Sequence, residues 1–306
     1  MARARWFGED VETIDATLGE LSTRLPVFHR QPFGANRFHD VITRKPAEGA
    51  EPLPVGLVSK KYVLVQHADA IRGVTAEVEN AGIDVGEVPA RLLISEYGTR
   101  MALRATLPNS HAWTPDDGHT MALTLECFNS VDGTVPLFAA VGWFRFVCSN
   151  GLLVGTTSAS VRRRHVPPLE IGEISEVLAD GMEAALQDPK SFTTWRSTRI
   201  SSGELAEWVD GPVADSWGPM AAARVYEIST TGLDGKPAPS GKNAPPHAWF
   251  LSNGSRVPGT HAPCHDGYGI AQILAWVAAQ RGDITQRLQW REQIRGLMSH
   301  LIPAHP

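Results

Sequence analysis

Alternation is the strongest constraint in this chain. Between Arg91 and Val147 short apolar-rich runs follow one another, and in Arg100–Leu107 apolar residues alternate with Arg100, Ala102, Arg104 and Thr106. Turn formers separate the runs: Gly98-Thr99 after the first, and Asn129-Ser130-Val131-Asp132-Gly133-Thr134 further on. A period of two sends successive side chains to opposite faces of a strand, and glycine or Asp-Gly between such runs reverses the chain. Met101, Leu103, Ala105 and Leu107 are thereby expected on a core face, with Arg100, Ala102, Arg104 and Thr106 on the other. Strands are expected at 91–97, 100–107, 119–128 and 135–147, paired as an antiparallel meander. A parallel doubly wound sheet would need a helix between successive strands, and these runs leave no room for one.

Around this unit the periodicity changes. Ile71, Val74 and Val78 recur at helical spacing over 68–81, with Gly82 as a stop, so a helix is expected to pack on the sheet. Lys60 to Gln66 reads as a strand leading into it. Residues 10–25 read as a helix through Ile14, Leu18, Leu21 and Leu25, and the Pro- and Gly-bearing residues 26–59 as an extended arm. Residues 152–168 run through small polar side chains to Arg162-Arg163-Arg164-His165. From 172 the chain turns helical, with weaker helices at 202–210 and 215–228 and two more carried by Ile270, Ile273, Leu274, Val277 and by Leu288, Ile294, Leu297, Met298. Residues 229–263 lack periodicity and read as a long loop. The expected fold class is α+β: a mostly antiparallel sheet with a packed helix, followed by a helical C-terminal half. The expected regions are 1–59 (helix and arm), 60–168 (β-rich core) and 169–306 (helical, with the 229–263 loop).

Hydrophobic residues make up 42% of the 306, enough for a packed core rather than wholesale disorder. No apolar run reaches the length of a membrane span, and the two early arginines lack the apolar stretch of a secretory signal. Three widely spaced cysteines, Cys127, Cys148 and Cys264, do not make a disulfide framework and fit a reducing compartment. A cytoplasmic location without membrane attachment is the expectation.

The enzyme signatures with firm spacing are missing: no P-loop, no Gly-x-Ser-x-Gly elbow, no His-Glu-x-x-His, no paired Cys-x-x-Cys and no dinucleotide fingerprint. The chain is read as a non-enzyme more readily than as an enzyme, with no cofactor and no metal. Net charge is -5, yet no acidic residue falls between Asp132 and Glu170, a stretch that holds Arg145, Arg162, Arg163, Arg164 and His165. Three consecutive arginines cannot all enter a core, and guanidinium groups fit phosphate. Lys60, Lys61, Arg100 and Arg104 are expected on strands of the same sheet. Together they would form a basic track, which with nearby aromatics suits single-stranded nucleic acid. Trp113, Trp143, Phe144 and Phe146 are candidates for stacking, against the alternative that they fill the core. The arginines also have a plainer reading, as partners of the chain's surplus carboxylates.

Other clusters have structural readings beside functional ones. Asn129, Ser130, Asp132 and Gly133 suit a hairpin turn and could also bind a metal or a sugar–phosphate. Cys148 could be a nucleophile or inert packing. His261, Cys264, His265 and Asp266, with His247 upstream, are metal-ligand types without a closed zinc spacing, and Asp266 reads as a helix N-cap.

The segment FNSVDGTVPLFAAVGWFRFVCSNGLLVG resembles the phage/plasmid-like family filed as domain of unknown function 932. Asn129, Ser130, Asp132 and Gly133 match its turn, with Val131 where members carry histidine. Phe146, Val147, Cys148 and Asn150 match its second element. KKYVLVQHADAI and DGYGIAQILAWVAAQRGD are similar to further parts, and Ala271-Gln272 stands where an Asn-Ala pair is usual. The resemblance spans about 55–300 with its firmest agreement at 126–153. It implies a setting in phages, plasmids and integrated elements but no activity. The order of sheet and helices is also similar to that of single-strand annealing proteins, an analogy that implies a DNA groove and a homo-oligomer.

The resulting expectation is a nucleic-acid-binding accessory protein of a mobile element, engaging single-stranded DNA. Two alternatives stand beside it: a protein-interaction or host-defence partner using a surface around Trp195, Trp208, Trp217 and Trp249, and a small-molecule binder or enzyme using the Asn129–Gly133 turn.

Overall fold

A computed structural model describes residues 5–6, 9–21, 25–45, 51–108, 112–114, 120–146, 153–170, 172–185 and 188–302. In chain order the elements begin with β1 (Arg5–Trp6), β2 (Glu9–Thr17), α1 (Leu18–Leu21), β3 (Phe28–Pro32), β4 (His39–Arg44), β5 (Leu53–Ser59) and α2 (His67–Asn80). They continue with β6 (Pro89–Ser95), β7 (Arg100–Thr106), β8 (Ala112–Trp113), β9 (Met121–Ser130), β10 (Leu137–Phe146), β11 (Leu153–Arg163) and α3 (Gly172–Ala185). Then come α4 (Asp188–Ser197), α5 (Ser202–Trp208), α6 (Ala214–Trp217), α7 (Pro219–Thr231), β12 (Leu233–Ala238), β13 (Phe250–Arg256), α8 (Gly267–Ala279) and α9 (Ile284–Leu301). The class is α+β, as the alternation predicts.

Two compact units divide the chain: Met1–Trp143 with Ser158–Ala185, and Phe144–Thr157 with Leu186–Pro306. The helix expected to open the C-terminal region, α3, therefore belongs with the sheet. The main sheet runs β1-β2-β6-β7-β9-β10-β11, with β8 paired to β9. The meander has the expected faces. In the β7–β9 register Leu103 lies opposite Cys127 and Ala105 opposite Leu125, while Arg104 lies opposite Glu126. Helix α2 buries Ala70, Ile71, Val74 and Val78, each apolar side chain contributing roughly 1.5–3 kcal/mol when it leaves water. Helix α3 joins it, with Ser175 Oγ donating to Gly73 O at 3.1 Å.

Four expectations need correction. Residues 10–25 are not one helix. Glu9–Thr17 is a strand whose Val11 to Thr17 pair with Ser95 to Pro89, and among the described residues of this range only Leu18–Leu21 is helical. Cross-strand pairing overrides a helical stripe that is carried mainly by Leu18 and Leu21. Residues 26–59 are not an arm but a three-stranded sheet, β3-β4-β5. Lys60 to Gln66 is not a strand: Arg30 takes up backbone acceptors there, donating to Lys60 O and Tyr62 O, while the Gln66 side-chain amide brackets the Phe28 N–H and C=O. Within 229–263 lies a hairpin, β12–β13.

The small sheet meets the main one through an apolar cluster of Phe28, Ile42, Val58, Tyr62 and Val131. A side chain at Gly56 would put its Cβ 2.9 Å from Asp132 Cα, so glycine is what lets β5 lie against the turn after β9. In the second unit, Trp208, Val213, Trp217, Val225, Ile273, Leu274, Ile294 and Leu297 share one core. Trp208 Nε1 donates to Leu297 O at 2.9 Å, and Trp217 stacks on Trp290 with centroids 4.6 Å apart.

Candidate functional site

The residues of the Asn-Ser-x-Asp-Gly turn close on a buried polar network in the first unit. Asn129 is fully buried at the end of β9. Its Nδ2 donates to Val65 O at 2.9 Å and to His67 Nδ1 at 3.0 Å. With Nδ1 accepting, His67 carries its proton on Nε2 and donates to Gly98 O at 2.8 Å. Burial pushes the His67 pKa down to about 4, so the ring is neutral. Ser130 Oγ donates to Val135 O and accepts from Val135 N, while Tyr62 Oη donates to Ser130 O at 2.9 Å. Burial, and next the charge of Asp132, raises the Tyr62 phenol above its ordinary pKa.

Asp132 accepts from Thr134 N and Thr134 Oγ1 with one oxygen, and with the other from Arg100 Nη2 at 2.8 Å. Arg100 also donates to Glu9 Oε1 at 2.8 Å and Thr134 Oγ1 at 2.7 Å. Its side chain is only 8% exposed. Most of these polar groups are spent on one another, while Asn129 Oδ1 and Glu9 Oε2 are buried without a hydrogen-bond partner among the described residues. The turn rivets the small sheet, α2 and the main sheet together, and that is what amide, hydroxyl, carboxylate and glycine accomplish at this spacing.

The basic track separates into two groups. Arg100 and Arg104 both pair with carboxylates. Arg104 Nη2 lies 3.0 Å from the buried Glu126, and on the same row Arg91 pairs with Asp15. Arg100, only 8% exposed, is spent inside the fold and leaves the candidate interface, while Arg104, 29% exposed, keeps part of its side chain at the surface beside its carboxylate. The other group converges. His165, just past the end of β11, accepts from Val63 N with its carbonyl at 2.9 Å, and its Nδ1 lies 3.1 Å from Val63 O. Its ring stacks on Tyr62. The end of β11, with Arg162, Arg163 and the following Arg164, is thereby joined to the segment that carries Lys60 and Lys61. Lys61, Arg163 and Arg164 are exposed. Lys60 and Arg30 both hold Asp40, whose pKa is lowered first by Lys60 and then by Arg30. Arg162 lies over the Phe138 ring.

Trp143 and Phe144 are buried, as the core alternative has it. Trp208 and Trp217 are buried and Trp195 and Trp249 half-buried, which leaves little tryptophan surface for a partner. Cys148 and Asn150 lie outside the described residues, as does the side chain of Arg145. Cys264 is buried, its thiol pushed up to about 11, and Asp266 caps α8 by accepting from Gly269 N at 2.8 Å. Among the described residues no three His, Cys, Asp or Glu side chains gather as a metal site. Sequence reading placed His165 only in the basic stretch and His67 only within the family-like KKYVLVQHADAI segment, without their buried roles, and it missed the small sheet with Arg30.

A family model for "Domain of unknown function (DUF932)" matches residues 54–225. That span exceeds half of the chain. The protein belongs to the DUF932 family. The match takes in Lys60, Lys61, His67, the turn, Arg162 to Arg164 and His165, so both the rivet and the converging cations lie within the DUF932 region. No curated protein and no solved structure matches the chain.

Proposed function

We propose that this DUF932 chain is a nucleic-acid-binding accessory protein of a mobile element that engages single-stranded DNA. The observation that carries the reading is the His165–Val63 pairing, which joins the end of β11, with Arg162, Arg163 and the following Arg164, to the segment of the double lysine in a stretch poor in acids. Phosphates would meet Arg163, Arg164 and Lys61, with Arg162 and Lys60 at the margin. The mobile-element setting and a homo-oligomer follow from the family resemblance and the annealing-protein analogy.

The test is a polarisation titration of a labelled single-stranded oligonucleotide at several salt concentrations. Binding at low salt should weaken steeply as salt rises, because each neutralised phosphate releases counterions. The triple variant Arg162→Ala/Arg163→Ala/Arg164→Ala should bind weakly and show a salt slope smaller by about 2, at roughly 0.7 per lost contact. No binding by the parent at low salt, or an unchanged triple variant, would remove the reading.

A further inference from the structure

The tip joining β3 to β4 carries two phenylalanines in water. Phe38 is 76% exposed and Phe33 49%. They are not on a slack loop. Asn36 N donates to Phe33 O at 3.0 Å, with Gly34 at φ +53° making the turn. Asn36 Oδ1 then accepts from both Phe38 N and His39 N, at 2.8 and 3.0 Å. Below the tip, Pro32 pairs with Asp40 in the β3–β4 ladder. The phenyl rings are thus displayed from a braced backbone, which costs a ligand little ordering.

Along the chain the tip carries charge of one sign. Arg37 lies between the rings in sequence and is exposed. Lys60 N donates to Phe38 O at 2.9 Å, which fixes the start of the double lysine beside Phe38. Residues 33–39 contain no acid, and Asp40, the next one, is held inward by Arg30 and Lys60. From Phe38 the chain runs through Lys60 and Lys61 to Val63, whose N–H donates to His165 O just past Arg162, Arg163 and Arg164. Exposed aromatics beside a row of cations suit a strand whose phosphates take the charges while its bases stack on the rings.

We propose that the β3–β4 tip is a stacking platform for unpaired bases, with Phe38 as the principal contact and Phe33 as the second, extending the phosphate-binding row at Lys60, Lys61 and Arg162–Arg164. This rests on the nucleic-acid reading above and deepens it, since a platform of this kind distinguishes unpaired bases from a duplex whose bases are already stacked. Both rings lie outside residues 54–225, so the platform belongs to this chain and not to the matched family region.

The experiment compares full-length parent, Phe38→Ala, Phe33→Ala, Phe38→Leu and Phe38→Trp on a labelled single strand and on a duplex of the same length. Single-strand affinity should fall roughly 5- to 100-fold for Phe38→Ala, by the measure of one stacked base. It should fall less for Phe33→Ala, recover with Phe38→Trp and stay low with Phe38→Leu. Duplex binding should be unmoved by all four, whereas Arg163→Ala/Arg164→Ala should weaken both ligands. Salt-sensitive binding that ignores Phe38→Ala would overturn the platform and leave the phosphate row standing. Full recovery by Phe38→Leu would mark a merely apolar contact and overturn it too. A parent that binds neither oligonucleotide would overturn both proposals.

Discussion

His165 lies flat against Tyr62, ring centroids 5.0 Å apart and planes 21° from parallel, and this contact clasps the end of β11 to the segment before α2. The clasp joins two parts of the chain 102 residues apart through the Val63 bond. His165 is held neutral, its pKa lowered by burial, so removing it changes no charge at neutral pH. His165→Ala should therefore separate geometry from electrostatics. It loses the stack and a buried hydrogen bond, an expected cost of about 2–4 kcal/mol, read by urea unfolding. Oligonucleotide affinity should fall under conditions where the variant is still folded, although every cation remains. Undiminished binding would show that the arginines do not need the clasp.

The buried imidazoles make the fold acid-sensitive in a defined window. His67 has a pKa near 6.5 when unfolded and about 4 when folded, so between those values the unfolded chain binds the extra proton. Stability is full above about pH 6.5 and falls as pH drops towards 4. The drop is worth about 3 kcal/mol, and His165 adds to it in the same direction. Urea midpoints measured from neutral pH downward should decline through this window, and His67→Gln should flatten the decline. A pH-independent midpoint would contradict the assignment of a neutral, buried His67.

Stability and binding should sort the arginines in opposite ways. Arg100→Ala strands Glu9 and Asp132, two carboxylates in a poorly solvated site, and should destabilise by about 3–5 kcal/mol. Arg164→Ala sits at the surface and should stay within about 0.5 kcal/mol of the parent. Thermal unfolding and oligonucleotide titration on the two variants check both halves. The reverse ranking would mean that the ion pairs at Arg100 do not hold the turn.

Which features the sequence made legible follows from how local their physics is. The β6–β7–β9–β10 meander, α2 and the last two helices were readable because alternation and helical stripes are properties of neighbouring residues. The small sheet was not, since four of the five residues in β3 are exposed and proline or glycine interrupts β3 and β5. Strand β11 was hidden for a similar reason, being built from Ser, Thr, Gly and Ala. The site was half legible. Arginine and lysine could be recognised as phosphate-binding types, but the partner that removes Arg100 lies 91 residues away at Glu9. Likewise nothing near His165 in sequence announces that it grips Val63. Long-range pairing, not residue type, decided which cations face solvent.

Val131 shows how the rivet tolerates the residue it carries. It stands where the resembled family motif has histidine, and in this chain the position is fully buried among Phe28, Ile42, Val58 and Tyr62. Its backbone N–H already donates to Thr99 O at 2.8 Å, so the strand geometry leaves only the side chain to vary. An imidazole at that point would enter an apolar cluster as a larger, polar group. Overpacking and an unmatched ring nitrogen each cost about 1–3 kcal/mol. Val131→His should therefore lower stability by about 2–4 kcal/mol and steepen the loss of stability on acidification, because a third buried histidine would resist protonation as His67 and His165 do. Urea unfolding at neutral and mildly acidic pH gives the measurement. A variant as stable as the parent would mean that the space beside Tyr62 accepts an imidazole, and would turn attention to Asp132 as its partner.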